Sequence, residues 1–297
     1  MKDLFSIYAR GVAMGIADIV PGVSGGTLAL ITGIYTELIS SLAAMHPRLL
    51  LVWRQQGFVA FWQAGNFAFL LTLFAGILSS IALFARLMGW LLENYPVPVW
   101  AFFCGLIAAS VVPIWYSLQE KKWREALAFI CGLGAAATIA LLPGLGQISL
   151  SPQVFLFSGA LAICAMILPG ISGSFILLLL GMYQPVLDAV RGGQWSNLLA
   201  FVLGCAVGLL SFVHVLRWLL RRWHDPLMAL LGGFMVGSLV KLWPWRLAAE
   251  EGFRDQWLSP SQYALVQGSA MLPQAALALF VGVLVVVILF HIDQRSD

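Results

Sequence analysis

Six apolar stretches, over residues 66–92, 98–118, 125–142, 196–220, 226–243 and 263–291, each carry enough hydrophobic length to cross a lipid bilayer. A hydrocarbon core about 30 Å thick takes roughly 20 apolar residues per helical crossing. Inside that core every backbone N–H and C=O must be paired within the segment, so runs of this length are expected to be helices. The composition agrees, because 61% of the 297 residues are hydrophobic and 10% are charged, too little polar surface to cover a soluble globule. The expected class is an all-α polytopic membrane protein.

Two shorter apolar stretches are interrupted by the same punctuation. IVPGVSGGTLALITGIY begins at Ile19 and ILPGISGSFILLLLGMY begins at Ile167. Pro21 corresponds to Pro169, Ser24 to Ser172, Gly33 to Gly181 and Tyr35 to Tyr183, a constant offset of 148. Beyond the motif the match continues at an offset of 128, pairing Gly76 with Gly204, Pro98 with Pro226, Gly105 with Gly233 and Ser110 with Ser238. An insert around 46–65 in the first half accounts for the change, and its segment 49–62, with Trp53, Arg54 and Trp62, reads as an interfacial helix. The chain is therefore expected to hold two repeats. The first, 1–145, has a hairpin over 4–45 and crossings at 66–92, 98–118 and 125–142. The second, 150–297, has a hairpin over 153–190 and crossings at 196–220, 226–243 and 263–291.

With re-entrant hairpins each repeat has three crossings, and the second is upside down. An N-terminus in the cytoplasm then puts Lys2, Arg10, Arg48, Arg54, Lys121, Lys122, Arg124, Arg217, Arg221, Arg222 and Arg295 inside, against Arg86, Arg191, Lys241, Arg246 and Arg254 outside. Eleven against five follows the positive-inside rule, and both termini are expected to be cytoplasmic. Lys2 and Arg10 flank an apolar stretch, but Asp18 and Pro21 follow without a small-residue cleavage site, so this segment reads as part of the fold and not as a leader. Trp90, Trp100, Trp115, Trp123, Trp195, Trp223 and Trp243 fall near helix ends, where amphipathic rings prefer the interface.

Proline ends an incoming helix, and glycine lets the chain reverse without a side chain in the way. The motif thus predicts a break at membrane depth, tolerated only inside protein or beside water. Gly22, Val23, Ser24, Gly25, Gly26 and Thr27, with Gly170, Ile171, Ser172, Gly173 and Ser174, would begin the outgoing helices, where unpaired amides attract anions, phosphate above all. Two such turns facing each other near the midplane suit a transporter of an anionic substrate; the plainer alternative is that the glycines only permit close helix packing. Arg86 and its repeat counterpart His214, with Arg217 one turn further on, are candidate partners for a phosphate, snorkelling being the alternative for the arginines. Asp18 and Glu37 are candidates for a coupling proton or cation, with a simple interfacial position the alternative for Glu37. Cys104, Cys131, Cys164 and Cys205 stand inside apolar segments at no metal-ligand spacing, so no metal or cofactor is expected. No long basic run suggests nucleic acid.

GVAMGIADIVPGVSGGTLALITGIY together with ILPGISGSFILLLLGMY resembles the bacterial polyprenyl-phosphate transporter family, formerly one of unknown function, over essentially the whole chain. The resemblance implies a lipid substrate, undecaprenyl phosphate, returned across the cytoplasmic (inner) membrane for reuse in cell-wall synthesis. It implies no enzymatic step. Undecaprenyl-pyrophosphate phosphatases have similar PG-x-S hairpins but place an arginine after that serine and add a glutamate-rich motif; here Gly25 and Gly173 follow Ser24 and Ser172. Hydrolysis and transport of another small anion remain the alternatives. Oligomeric state is not readable from the sequence.

Overall fold

The computed structural model describes residues 4–19, 23–46, 48–119, 122–142, 150–247 and 256–294. The first half contains α1 (Leu4–Ile19), α2 (Gly25–Ile31), α3 (Tyr35–Ala43), α4 (Arg48–Ala64), α5 (Phe67–Asn94), α6 (Pro96–Ser117) and α7 (Trp123–Leu141). The second contains α8 (Pro152–Ile167), α9 (Gly173–Leu179), α10 (Tyr183–Arg191), α11 (Trp195–Arg222), α12 (His224–Ser238), α13 (Pro260–Gln267) and α14 (Leu272–Gln294). A two-residue ladder pairs β1 (Arg246–Leu247) antiparallel to β2 (Gln256–Trp257). Among the described residues four helices, α5, α6, α7 and α11, are long and apolar enough to cross a membrane, which makes this a multi-pass membrane protein.

The motif does break the helices. Among the described residues α1 ends at Ile19 and α2 starts at Gly25, while α8 ends at Ile167 and α9 starts at Gly173; Pro21 and Gly22 lie outside the described residues. The returning legs are each two short helices, α2 with α3 bent by 118° and α9 with α10 bent by 104°. Both bends are built alike. At the first, Gly33 takes φ 70°, and the amides of Gly33 and Ile34 donate back to Leu30 and Ala29 carbonyls; at the second, Gly181 takes φ 64°, and Gly181 and Met182 donate to Leu178 and Leu177. A left-handed residue is what this helix stop requires, and glycine adopts it without a Cβ penalty.

Glycines that correspond between the halves make corresponding contacts. Gly11 on α1 and Gly76 on α5 seat each helix against the other's backbone, as do Gly159 on α8 and Gly204 on α11. Gly105 on α6 and Gly282 on α14 form a third reciprocal pair, and Gly132 on α7 with Gly233 on α12 a fourth. With lipid outside as apolar as the helices, such small-residue approaches supply the packing energy that the hydrophobic effect cannot. Positions advance together along the partners: Gly11 meets Leu73 and Gly15 meets Ile77, Gly204 meets Leu156 and Gly208 meets Ala160, and Gly233 meets Phe129 while Gly237 meets Leu133. So α1 runs parallel to α5, α8 to α11, and α7 to α12. The third and fourth glycine pairs cross between the halves, α6 lying on α14 and α12 on α7.

The core lies where the halves meet, around Ile34, Tyr35, Ile39, Leu73, Ile107, Leu216, Leu231, Met235 and Leu242. Two expected crossings differ from their reading. The apolar run 226–243 stops being helical at Ser238, and 263–291 is divided, with Gly268 at φ 80° and Met271 at φ 46° between α13 and α14. Hydropathy carries no information about either break. The insert forms α4, kinked at Gly57 with φ 85°, and exposes Leu50, Leu51, Trp53, Phe58, Val59 and Trp62.

Candidate functional site

The two turns touch. Ser24 precedes α2 in an extended conformation, and its side chain faces the other half of the chain. Its hydroxyl donates to the Met166 carbonyl at 2.9 Å and approaches the Leu168 carbonyl at 3.4 Å, while accepting from the Gly26 amide at 3.1 Å. Thr27, one turn on and fully buried, accepts from the Gly170 amide at 2.8 Å. A Cβ on Gly26 would stand 2.6 Å from the Ile167 carbonyl oxygen, so this position brings the backbones into contact. Gly170, at φ 85°, has the Phe234 main chain against it.

At their amides the turns are unlike. In the first, Gly25 donates to Asp18 Oδ1 at 2.7 Å, Gly26 to Ser24 Oγ, and Thr27 to the Ser24 carbonyl at 2.9 Å. A carboxylate of the chain itself thus stands where a bound anion would. In the second, Met166 replaces Asp18, and Ser172 precedes α9 without a side-chain capping bond. The Ser172 and Ser174 hydroxyls lie 2.8 Å apart and pair with each other.

Beside the second turn is a crevice of about 270 Å³, its open mouth included, lined by Ala136, Ile139 and Ala140 of α7, by Gly170, Ile171, Ser172 and Phe175, and by Ser238 and Lys241. Gly170, Ile171 and Ser172 were expected at a site; Ser238 and Lys241 were not singled out. Ser238 had a signal, its pairing with Ser110. Lys241 had a weaker one, a cation close to the end of an apolar run. Its Nζ lies 4.6 Å from the centroid of the Phe175 ring, within cation–π range.

The remaining candidates lie elsewhere. Arg86 on α5 and His214 on α11 are exposed, and the His214 ring pairs with the Leu210 carbonyl of its own helix. Arg217 is half-buried, with Nε enclosed and unpartnered among the described residues. None of the three lines the crevice. Counting along the parallel pairs from Gly15 at Ile77 and Gly159 at Phe201, Arg86 and His214 stand roughly one helical turn beyond the hairpin tips. Glu37 accepts from Asn66 Nδ2 at 3.4 Å, which ties α3 to the start of α5. Among the described residues no group of three His, Cys, Asp or Glu could hold a metal ion.

The model of the VCA0040-like, undecaprenyl phosphate translocase-like family matches residues 14–256, a span that contains both turns, the crevice and every candidate above. The chain belongs to that family. Among curated relatives, a polyprenyl-phosphate transporter of Vibrio cholerae is 52% identical over 246 residues, 82% of this chain and 79% of that protein. A polyprenyl-phosphate transporter of Staphylococcus aureus is 32% identical over 253 residues, 79% of this chain and 84% of that protein. No solved structure matches the chain.

Proposed function

We propose that the protein translocates polyprenyl phosphate, undecaprenyl phosphate in particular, across the bacterial cytoplasmic membrane, with both termini in the cytoplasm and without a chemical step. The observation that carries this reading is the meeting of two helix breaks inside an apolar fold, beside a crevice that holds a lysine and hydroxyls. A broken helix at membrane depth exposes polar backbone at a cost of several kcal/mol unless it lines a site. A phosphate monoester, with about −1.5 to −2 charges near neutral pH, is an appropriate occupant, and its prenyl tail stays in lipid. The names of both relatives support the substrate.

The repeats are inverted in this reading. Successive crossings alternate in direction, and α7 runs parallel to α12, its counterpart being α14; α5 and α11 then point oppositely. Each half contributes a hairpin that enters from its own side, the geometry of alternating access about a central site. The substrate-binding group is the second turn, from Gly170 to Ser174, against which the turn from Val23 to Thr27 packs. Arg86, His214 and Arg217 lie along the bilayer-facing route from those turns, and Asp18 and Glu37 are the candidates for a coupling proton or cation.

Reconstituted vesicles test this against the enzyme reading. Labelled polyprenyl phosphate placed in one leaflet should reach the other only with the protein present, the neutral polyprenol should not, and a polyprenyl pyrophosphate should release no inorganic phosphate. Release of phosphate without leaflet transfer would overturn the proposal.

A further inference from the structure

The two hairpins are built alike but packed differently. In the first, α3 packs on α11 of the other half, and among the described residues no comparable packing joins its repeat counterpart α10 to α5. Tyr35 and Ile39 of α3 are fully buried, and Leu42 packs against the same cluster, which holds the buried Val213, Leu216 and Leu220 of α11. At the offset of 148, Tyr183 and Leu187 of α10 are only half-buried and Val190 is 60% exposed. At the offset of 128, Met88 and Leu92 of α5 are half-buried and Ala85 is exposed. Gly89, the counterpart of Arg217, has nothing within 4 Å of an added Cβ.

Each of these sets is one face of its helix. Tyr183, Leu187 and Val190 recur at i, i+4 and i+7, and Ala85, Met88 and Leu92 at i, i+3 and i+7, so each forms an apolar stripe. The equivalent stripes form the closed contact in the other hairpin. The joint between the legs can supply the movement: α9 and α10 are bent 14° less than α2 and α3, and both bends turn on a left-handed glycine, Gly181 and Gly33. Over the nine residues of α10, such a change moves the far end by about 3 Å. The closed hairpin is not fully satisfied either. Tyr35 Oη on α3 and Arg217 Nε on α11 are enclosed without a hydrogen-bond partner among the described residues, a cost that parting the two helices returns.

We infer that the second hairpin is a gate: α10 swings about Gly181 to lay Tyr183, Leu187 and Val190 on Ala85, Met88 and Leu92 of α5, while α3 leaves α11. The present structure is then the state in which the hairpin beside the crevice is open and the other is shut. Exchanging the two packings, as inverted repeats permit, generates the second state. The bonds of Ser24 and Thr27 to the second turn tie the hairpins together, so that one moves against the other. With the N-terminus in the cytoplasm, docking of α10 shuts the crevice from the outer side, and release of α3 opens the cytoplasmic side. The inference rests on the translocation reading and names the elements that exchange.

The test joins α10 to α5 by a disulfide in protein reconstituted in vesicles. Met88→Cys with Leu187→Cys takes the places equivalent to Leu216 and Ile39, and Leu92→Cys with Val190→Cys those equivalent to Leu220 and Leu42. The bond requires Cβ atoms about 4 Å apart, so it reports the docked state. Oxidation with copper phenanthroline should join at least one pair, seen by mass spectrometry of the linked peptides. Transfer of polyprenyl phosphate should then fall about tenfold or more and return on reduction, as for a lid that must reopen. A benzophenone amino acid at the exposed Val190 alone is the second measurement, free of paired substitutions: irradiation should link it to the α5 peptide containing residues 85–92. Neither a disulfide nor an α5 photoproduct, or a disulfide that leaves transfer unchanged, would overturn the gate and leave translocation standing where the wild type moves the lipid. A wild-type protein that does not move the lipid would overturn both.

Discussion

The hydroxyl of Ser24 donates to the main-chain carbonyl of Met166 at 2.9 Å, which joins the first motif turn to the helix that leads into the second. The same oxygen caps the Gly26 amide. The hydroxyl of the repeat-equivalent Ser172 pairs with that of Ser174. Ser24 therefore ties the two turns together, and Ser172 is the serine that the proposed function gives to the substrate.

Ser24→Ala should destabilise the protein by about 1–3 kcal/mol, because it leaves a buried amide and a part-buried carbonyl without this partner. Ser172→Ala should cost less than about 1 kcal/mol but weaken lipid binding more. Thermal unfolding in detergent, set beside farnesyl phosphate titration, checks the opposite ranking.

Gly26→Ala should force the turns apart, since its Cβ would meet the Ile167 carbonyl at 2.6 Å. A loss of about 2 kcal/mol or more is expected, in the range of overpacked cores. Gly89→Ala is the control, having nothing within 4 Å of the added carbon, and should be neutral or stabilising by up to about 1 kcal/mol, as for glycine in a helix interior. The difference in unfolding temperature between the two variants reads this directly.

Asp18→Asn keeps an acceptor for the Gly25 amide and should fold normally, whereas Asp18→Ala removes it and should cost about 1–3 kcal/mol. If Asp18 carries the coupling proton, Asp18→Asn should bind farnesyl phosphate as the wild type does, yet lose its response to an imposed pH gradient. Transfer measured in vesicles with and without the gradient decides it.

Arg86→Ala and His214→Ala alter exposed positions beyond the hairpin tips, not the crevice. Each should lower the maximal transfer rate while KM stays within about twofold, the pattern of a group that acts after the substrate is bound. Initial rates over a range of lipid concentrations separate the two effects.

Much of this architecture could be read from the sequence because its determinants are local. Proline and glycine set the helix breaks, and the pairs Gly76 with Gly204 and Gly105 with Gly233, found by offset alone, occupy corresponding close contacts in the fold. What escaped was tertiary. Residues 239–243 are as apolar as the helix before them, and the indole of Trp257 and the thiol of Cys104, distant in sequence, take the Val240 and Leu242 carbonyls that follow α12. The division between α13 and α14 depends on left-handed backbone at Gly268 and Met271, and a methionine gives no warning of that. The charge of Asp18 is legible in the sequence, but its bond to the Gly25 amide depends on how α1 folds back on α2.

A structure of the protein with farnesyl phosphate bound tests the central claim most directly. The account predicts phosphate density in the crevice beside the second turn, within hydrogen-bond reach of the Ser172 or Ser238 hydroxyl. Phosphate found at the Gly25 amide in place of Asp18, or on the outer faces of α5 and α11 at Arg86 and His214, would contradict it.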